Sequence, residues 1–333
     1  MDMKIAMLGS QEAAFHRVFS QAFLEKLSRY GTVSKRISET DLEANKVFLA
    51  ECEVAFSTWG MLKLTEAQIK TYFPKLKVLF YAAGTVQEFA KPFLHCGVQV
   101  LSAAAANAVP VAEYVFAQIS LATKGYFMAQ HLYKPLTALS AVYVHASKGN
   151  YHATVGLVGL GAIGSMVAEK LKQLDVKVRA YDPFVSDERA EALGVQLVSL
   201  EELFSTCDVI SNHLANKKEL ENIFNKTLFQ RMKKHTVFIN TGRGAQVNEK
   251  DLAAYLLTHP SSVALIDVIK HEMAPMTSPL FWCPNAYVTP HMAGSSGNEP
   301  QRMAEYMLEE LDRYLKGEAF LYAVKEENLA TMA

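Results

Sequence analysis

The chain has 333 residues, half of them hydrophobic, with 33 Lys and Arg against 34 Asp and Glu and a formal net charge of -1. That length predicts two domains, each large enough for its own core, while 17 Gly, 11 Pro and no biased tract exclude a fibrous or disordered chain. The balanced charge removes the broad basic field that nucleic-acid binding draws on, and Cys52, Cys96, Cys207 and Cys283 form no CxxC pair, so neither a disulfide scaffold nor a metal site is expected.

Short apolar runs alternate with helix-period segments almost throughout, the pattern of parallel sheets covered by helices. Lys4 to Leu8 reads as a first strand rather than a signal peptide. Phe15, Val18, Phe19, Ala22, Phe23 and Leu27 follow on one helical stripe. Strands are predicted at Val54–Phe56, Val78–Tyr81 and Val98–Leu101, with a helix from Thr65 to Phe73 closed by Pro74. A long helix starts at Asn107 with Pro110 in its first turn. Asn107, Pro110 and Glu113 interrupt the apolar window Leu101 to Ala122, which argues against a membrane span. An irregular stretch, Gly125 to Asn150, precedes a second alternating unit. Its predicted strands are Thr154–Val158, Val176–Tyr181, Val195–Val198, Asp208–Ser211, Val237–Asn240, Val263–Val268 and Ala286–Thr289, with helices at Ala162–Leu174 and near Asn248–Leu257. Met303, Met307, Leu311 and Tyr314 mark a last amphipathic helix.

Within the second unit, Gly159-Leu160-Gly161-Ala162-Ile163-Gly164 follows a strand and opens a helix. A GxGxxG alone is a weak signal, but strand, glycine turn and helix together point to a dinucleotide site. Gly159 makes the tight turn, Gly161 lets backbone approach a pyrophosphate, and Gly164 permits close packing. Asp182 ends the next strand, 18 residues beyond Gly164. A carboxylate there accepts from the adenosine 2′-hydroxyl and repels a 2′-phosphate, which favours NAD over NADP; the competing role is to start the turn at Pro183.

Three strand-end loops carry ionisable groups. Arg243 stands between Gly242 and Gly244, and its planar fork suits a carboxylate. Asp267 and Glu272 follow the strand Ala264-Leu265-Ile266, and His291 lies in Thr289 to Gly294. A histidine that protonates a carbonyl at neutral pH needs a carboxylate to fix its tautomer and favour its charged form, and Glu272 is the candidate.

The chain resembles the D-isomer-specific 2-hydroxyacid dehydrogenase family in Ala153 to Gly164 with Asp182, Asp208 to Leu214, Asn240 to Val247, Asp267 to Glu272 and Thr289 to Gly294. The resemblance implies an α/β protein of two doubly wound parallel-sheet domains: a Rossmann NAD-binding domain, residues 106–297, inserted into a flavodoxin-like substrate domain, residues 1–105 plus 298–333. It implies Arg243, Glu272 and His291 as catalytic residues. The implied cofactor contacts are Gly159, Gly161, Ala162, Ile163, Gly164, Asp182, His213, Thr241 and Asp267, the last holding the nicotinamide carboxamide. Ala83, Gly84 and Thr85, with Arg243, would hold the substrate carboxylate in a cleft between the domains. The family pattern departs at Thr85 and Gln87, where a glycine and an acid are usual, at Ala215 in place of a proline, and at Leu220 in place of a threonine.

The expected activity is therefore hydride exchange between NAD(H) and a 2-keto or D-2-hydroxy acid in a cytoplasmic homodimer that binds neither nucleic acid nor membrane. The rivals are a formate dehydrogenase, against which the acid Glu272 counts because an amide is expected there, and an NADH-sensing corepressor. Ser57 to Met61 and Tyr81 to Phe89 contain no Lys or Arg, whereas Trp59, Met61 and Tyr81 offer apolar surface. An unphosphorylated acid with a small or apolar side chain is expected, unless the two aromatics only pack the domain.

Overall fold

The structure is a computed structural model that describes residues 3–132 and 147–331. It divides into two compact units, residues 1–107 with 295–333 and residues 108–294.

The first unit carries a parallel sheet of five strands in the order β2-β1-β3-β4-β5, the flavodoxin-like order. These are β1 (Met3–Leu8), β2 (Gly31–Ile37), β3 (Val54–Ser57), β4 (Val78–Tyr81) and β5 (Gln99–Ser102). β3 and β4 are buried at every position, so they read as continuous apolar runs. Their register pairs Phe56 with Phe80, whose rings stack at 4.8 Å between centroids. The helix Pro300–Lys316 returns Met303, Ala304, Met307 and Leu311 to this core.

Three expectations change here. The sequence reading passed over β2, an edge strand whose alternation is blurred by Ser34, Lys35 and Arg36. Charged residues on an edge discourage pairing with other chains, and the Ser34 hydroxyl accepts from the Met7 amide where the β1/β2 register shifts. The first helical stripe is two helices, Glu12–Val18 and Gln21–Leu27, because Ser20 turns extended and caps the second; Ala22 is exposed. The long helix runs Ala104–Thr123, with Pro110 in its interior rather than its first turn. It starts early because the Ser102 hydroxyl accepts from the Ala104 amide at 3.2 Å.

The second unit carries seven parallel strands in the order β12-β11-β10-β9-β6-β7-β8. They are β6 (Ala153–Val158), β7 (Val176–Tyr181), β8 (Gln196–Leu197), β9 (Val209–Asn212), β10 (Val237–Asn240), β11 (Val263–Ile266) and β12 (Ala286–Val288). Chain order reverses beside β6, and ligands of open parallel sheets bind at the strands' carboxyl ends near such a switch. Short helices at Asp187–Ala192 and Leu200–Thr206 had no place in the sequence reading, although Ser186 and Ser199 cap them in the usual way. Of the stretch expected to be irregular, Tyr126–Leu132 is helical and 133–146 lies outside the described residues. No described helix is long and apolar enough to cross a membrane.

Candidate active site

The glycine turn is built as its spacing requires. Gly159 has φ +96°, and a Cβ there would stand 2.9 Å from the His213 carbonyl oxygen. A Cβ at Gly164 would meet the Gly159 carbonyl oxygen at 2.0 Å, so helix Ala162–Leu171 rides directly on the turn. Gly161, the residue before that helix, faces open space, and no side chain caps the helix end. Amides of a helix start with room in front of them fit a pyrophosphate. Ala162 and Ile163 form the first turn.

Asp182 combines both roles open to it. One carboxylate oxygen accepts from the Phe184 amide at 2.9 Å, the turn-forming contact, and the other from the Leu160 amide at 2.8 Å inside the glycine loop. A carboxylate has about four lone-pair sites, so capacity for a ribose hydroxyl remains.

His213 packs against the glycine turn, and both of its ring nitrogens are buried without a hydrogen-bond partner. Desolvation pushes its pKa down to about 3, so the ring is neutral. The Thr241 hydroxyl is another buried atom without a partner. Buried polar atoms are normally satisfied. Orphans beside a glycine turn and a strand end fit a polar ligand, and this region suits a dinucleotide.

Beyond β10, the loop that carries Arg243 is tightly packed: a Cβ at Gly244 would meet the Ile269 carbonyl carbon at 2.1 Å, and one at Gly242 would meet the Asn212 side-chain nitrogen at 2.6 Å. The flanking glycines thus serve the packing of the loop itself. Burial pulls the Arg243 guanidinium below its ordinary pKa and Glu272 pulls the other way; a guanidinium remains charged throughout. His291 takes φ +51°, a left-handed conformation that histidine adopts more readily than most residues. Its amide donates to the carbonyls of Asp267 (2.9 Å) and Thr289 (3.0 Å), and its Nδ1 lies 3.0 Å from Glu272 Oε1. Both side chains are about half exposed, at 51% and 46%, so solvent and substrate can reach them.

Asp267 is buried and faces the His291 loop. Oδ1 accepts from the Thr289 hydroxyl (2.6 Å) and the Met292 amide (2.9 Å), and Oδ2 from the Ala293 amide (2.9 Å). Its contacts in the structure are therefore loop-forming. Sequence spacing shows an acid at a strand end but not that it folds the neighbouring loop.

In the first unit, the loop after β4 is held by its carbonyl oxygens. Ser102 donates to Ala83 O (3.1 Å) and Gly84 O (2.6 Å), and Thr58 donates to Ala82 O (2.9 Å). Thr85 is exposed at the tip. Tyr81 and Met61 are 5% and 8% exposed, and Tyr81 packs edge-on against Phe89, so they belong to the core rather than to a ligand surface. Trp59 is half-buried, and the Arg17 guanidinium lies over its ring at 5.9 Å. The absence of Lys and Arg from these segments therefore does not keep cations away: the helix Glu12–Val18 supplies one.

Fold and glycine turn together define the class, a doubly wound nucleotide-binding domain accompanied by a flavodoxin-like one. Residues 140–293 match the family model "D-isomer specific 2-hydroxyacid dehydrogenase, NAD binding domain". The D-3-phosphoglycerate dehydrogenase of Archaeoglobus fulgidus is 35% identical over 164 residues, which cover 49% of this chain and 31% of that one. That of Bacillus subtilis is 31% identical over 228 residues, 68% of this chain and 43% of the relative. The matched stretches thus span less than half of these relatives. A D-isomer specific 2-hydroxyacid dehydrogenase from Lactobacillus delbrueckii ssp. bulgaricus, solved in its NAD complexed form, shares the fold with a TM-score of 0.79 at 19% identity, covering 97% of this chain and 100% of that one. The chain belongs to the D-isomer specific 2-hydroxyacid dehydrogenase family, and its second unit is an NAD-binding domain of that family.

Proposed function

We propose that the protein interconverts a 2-keto acid and a D-2-hydroxy acid with NAD(H), and the pairing of His291 with Glu272 at 3.0 Å on loops that follow β12 and β11 carries the reading. With Nδ1 committed to Glu272, Nε2 is the ring atom that gives a proton to the substrate carbonyl oxygen in reduction and takes it back in oxidation. Bound nicotinamide supplies the hydride. Arg243 engages the substrate carboxylate with its planar fork; within the first unit, Ala83, Gly84 and Thr85 are the proposed substrate-binding residues. Asp182 takes the ribose hydroxyls, while Gly161, Ala162 and Ile163 present backbone to the pyrophosphate. His213 and Thr241 offer their unspent polar atoms to the cofactor, and Asp267 keeps the His291 loop in shape. The protein's share of catalysis is position and charge. A cytoplasmic homodimer is the proposed working form.

The test is NADH oxidation with pyruvate, glyoxylate, a branched keto acid, hydroxypyruvate and 3-phosphohydroxypyruvate, beside formate with NAD⁺. Turnover of at least one keto acid and none of formate is expected. NADH binding without turnover would establish a sensor instead, and formate oxidation a different enzyme. The phosphorylated acid is included because Arg17 reaches Trp59.

A further inference from the structure

Three amide side chains, Asn212, Asn240 and Gln246, are buried to 0%, 0% and 1% exposure beneath the strand-end loops of the second unit. Two of them end neighbouring strands, β9 and β10, in register with one another, and the third lies in the turn after Arg243. Asn212 Nδ2 donates to Asn240 Oδ1 (2.8 Å) and to Gln246 Oε1 (2.7 Å), while Asn212 Oδ1 accepts from the Leu214 amide (3.0 Å). Asn240 Oδ1 also accepts from the Gly242 amide (3.2 Å). Gln246 Oε1 accepts from the Arg243 amide (3.3 Å), and its Nε2 donates to the carbonyls of Ala215 (2.8 Å) and Leu214 (3.4 Å). Reversing Asn212 would set its oxygen against two others, so the network has one sense.

A buried polar network that is fully satisfied fixes one arrangement of the groups it touches; one that is partly satisfied does not. Apolar side chains at these positions would leave the amides of Leu214, Gly242 and Arg243 without these acceptors. What the cluster touches is specific: the backbone of Arg243 on one side and of Leu214 and Ala215, next to His213, on the other. Gly242 fits the same account, since a Cβ there would lie 2.6 Å from Asn212 Nδ2 and 3.0 Å from Gln246 Oε1.

We infer that Asn212 and Gln246 are positioning residues, a clasp that holds the carboxylate-binding Arg243 and the cofactor loop 213–215 in mutual register. The inference rests on the proposed role of Arg243. Misplacing a binding group by about 1 Å can cost roughly a hundredfold, so Gln246→Leu is expected to raise the keto-acid KM between about tenfold and a hundredfold and to weaken NADH binding, measured by fluorescence titration without turnover.

Two further variants sharpen the test, and the first of them also stands where Gln246→Leu fails to fold. Gln246→Glu retains an oxygen for the Arg243 amide but sets a carboxylate against the Ala215 and Leu214 carbonyls. It should weaken NADH binding at high pH and recover it in acid, when a protonated carboxyl donates again. In an Arg243→Lys background, Gln246→Leu should add little to the KM increase already present, because it acts through that arginine. Gln246→Glu binding NADH as the unmodified protein does at every pH, or additive KM effects in the double variant, would overturn the clasp. An Arg243→Lys variant with unchanged KM would instead overturn the reading of Arg243, and the NADH titrations would still decide the cofactor side.

Discussion

The strand-end loops of the two units spend their polar groups differently. In the first unit, Ser102 and Thr58 donate to the carbonyls of Ala82, Ala83 and Gly84, and Tyr81 and Met61 lie in the core. In the second, the His213 ring nitrogens and the Thr241 hydroxyl remain buried and unspent, and the space before Gly161 is open. A loop that satisfies itself holds its shape without a ligand; a loop with buried orphans is completed by one. The cofactor side is therefore chemically legible, whereas the substrate-domain loop records its scaffold more than its ligand.

The sharpest way to break this contrast is at the proposed catalytic pair. His291→Ala is expected to lower turnover by roughly 10²–10⁴-fold, the range for losing general acid–base catalysis, with NADH affinity nearly intact by fluorescence titration. A comparable loss of NADH binding would move His291 from chemistry to cofactor binding.

A smaller effect is expected at Asp182. Replacement by Asn keeps an oxygen for the Leu160 amide and removes the charge, so the preference for NADH over NADPH should fall by about tenfold or more, the worth of a hydrogen bond to a charged group. The ratio of kcat/KM values for the two coenzymes measures it, and an unchanged ratio would leave Asp182 as a turn residue only.

The smallest belongs to the first unit and its self-directed polar groups. His95 lies between Glu66 (3.0 Å) and Glu326 (3.3 Å), and its hydrogen bonds to Glu66 and then Glu326 raise its pKa. A raised folded-state pKa means the contact contributes fully below the ordinary value of about 6.5 and is lost as pH rises through the folded value. Amide exchange near Glu326, corrected for its intrinsic pH dependence, should therefore be better protected in mild acid. His95→Gln should abolish that difference; persistence of it in the variant would assign the protection elsewhere.

What the sequence made legible follows from which features are local. The glycine turn, Asp182 and the strand ends bearing Arg243, Asp267 and His291 depend on short spacing and stand where it placed them. Buried strands such as β4 are plain apolar runs. β2 escaped because an edge strand needs only one buried face, and Pro110 misled because the start of its helix is fixed by Ser102, a residue with no apolar period. Features made by tertiary contact left no local trace: Arg17 over Trp59, Asp267 turned onto the loop 289–293, and the amide cluster of Asn212, Asn240 and Gln246.

The proposed chemistry is tested most directly by following the hydride. Reduction of the best keto acid from the panel with NADH deuterated at the transferring C4 position should place deuterium on C2 of the product. Chiral analysis should give the D-hydroxy acid, with His291→Ala losing the transfer. An unlabelled product, or the L enantiomer, would contradict the account.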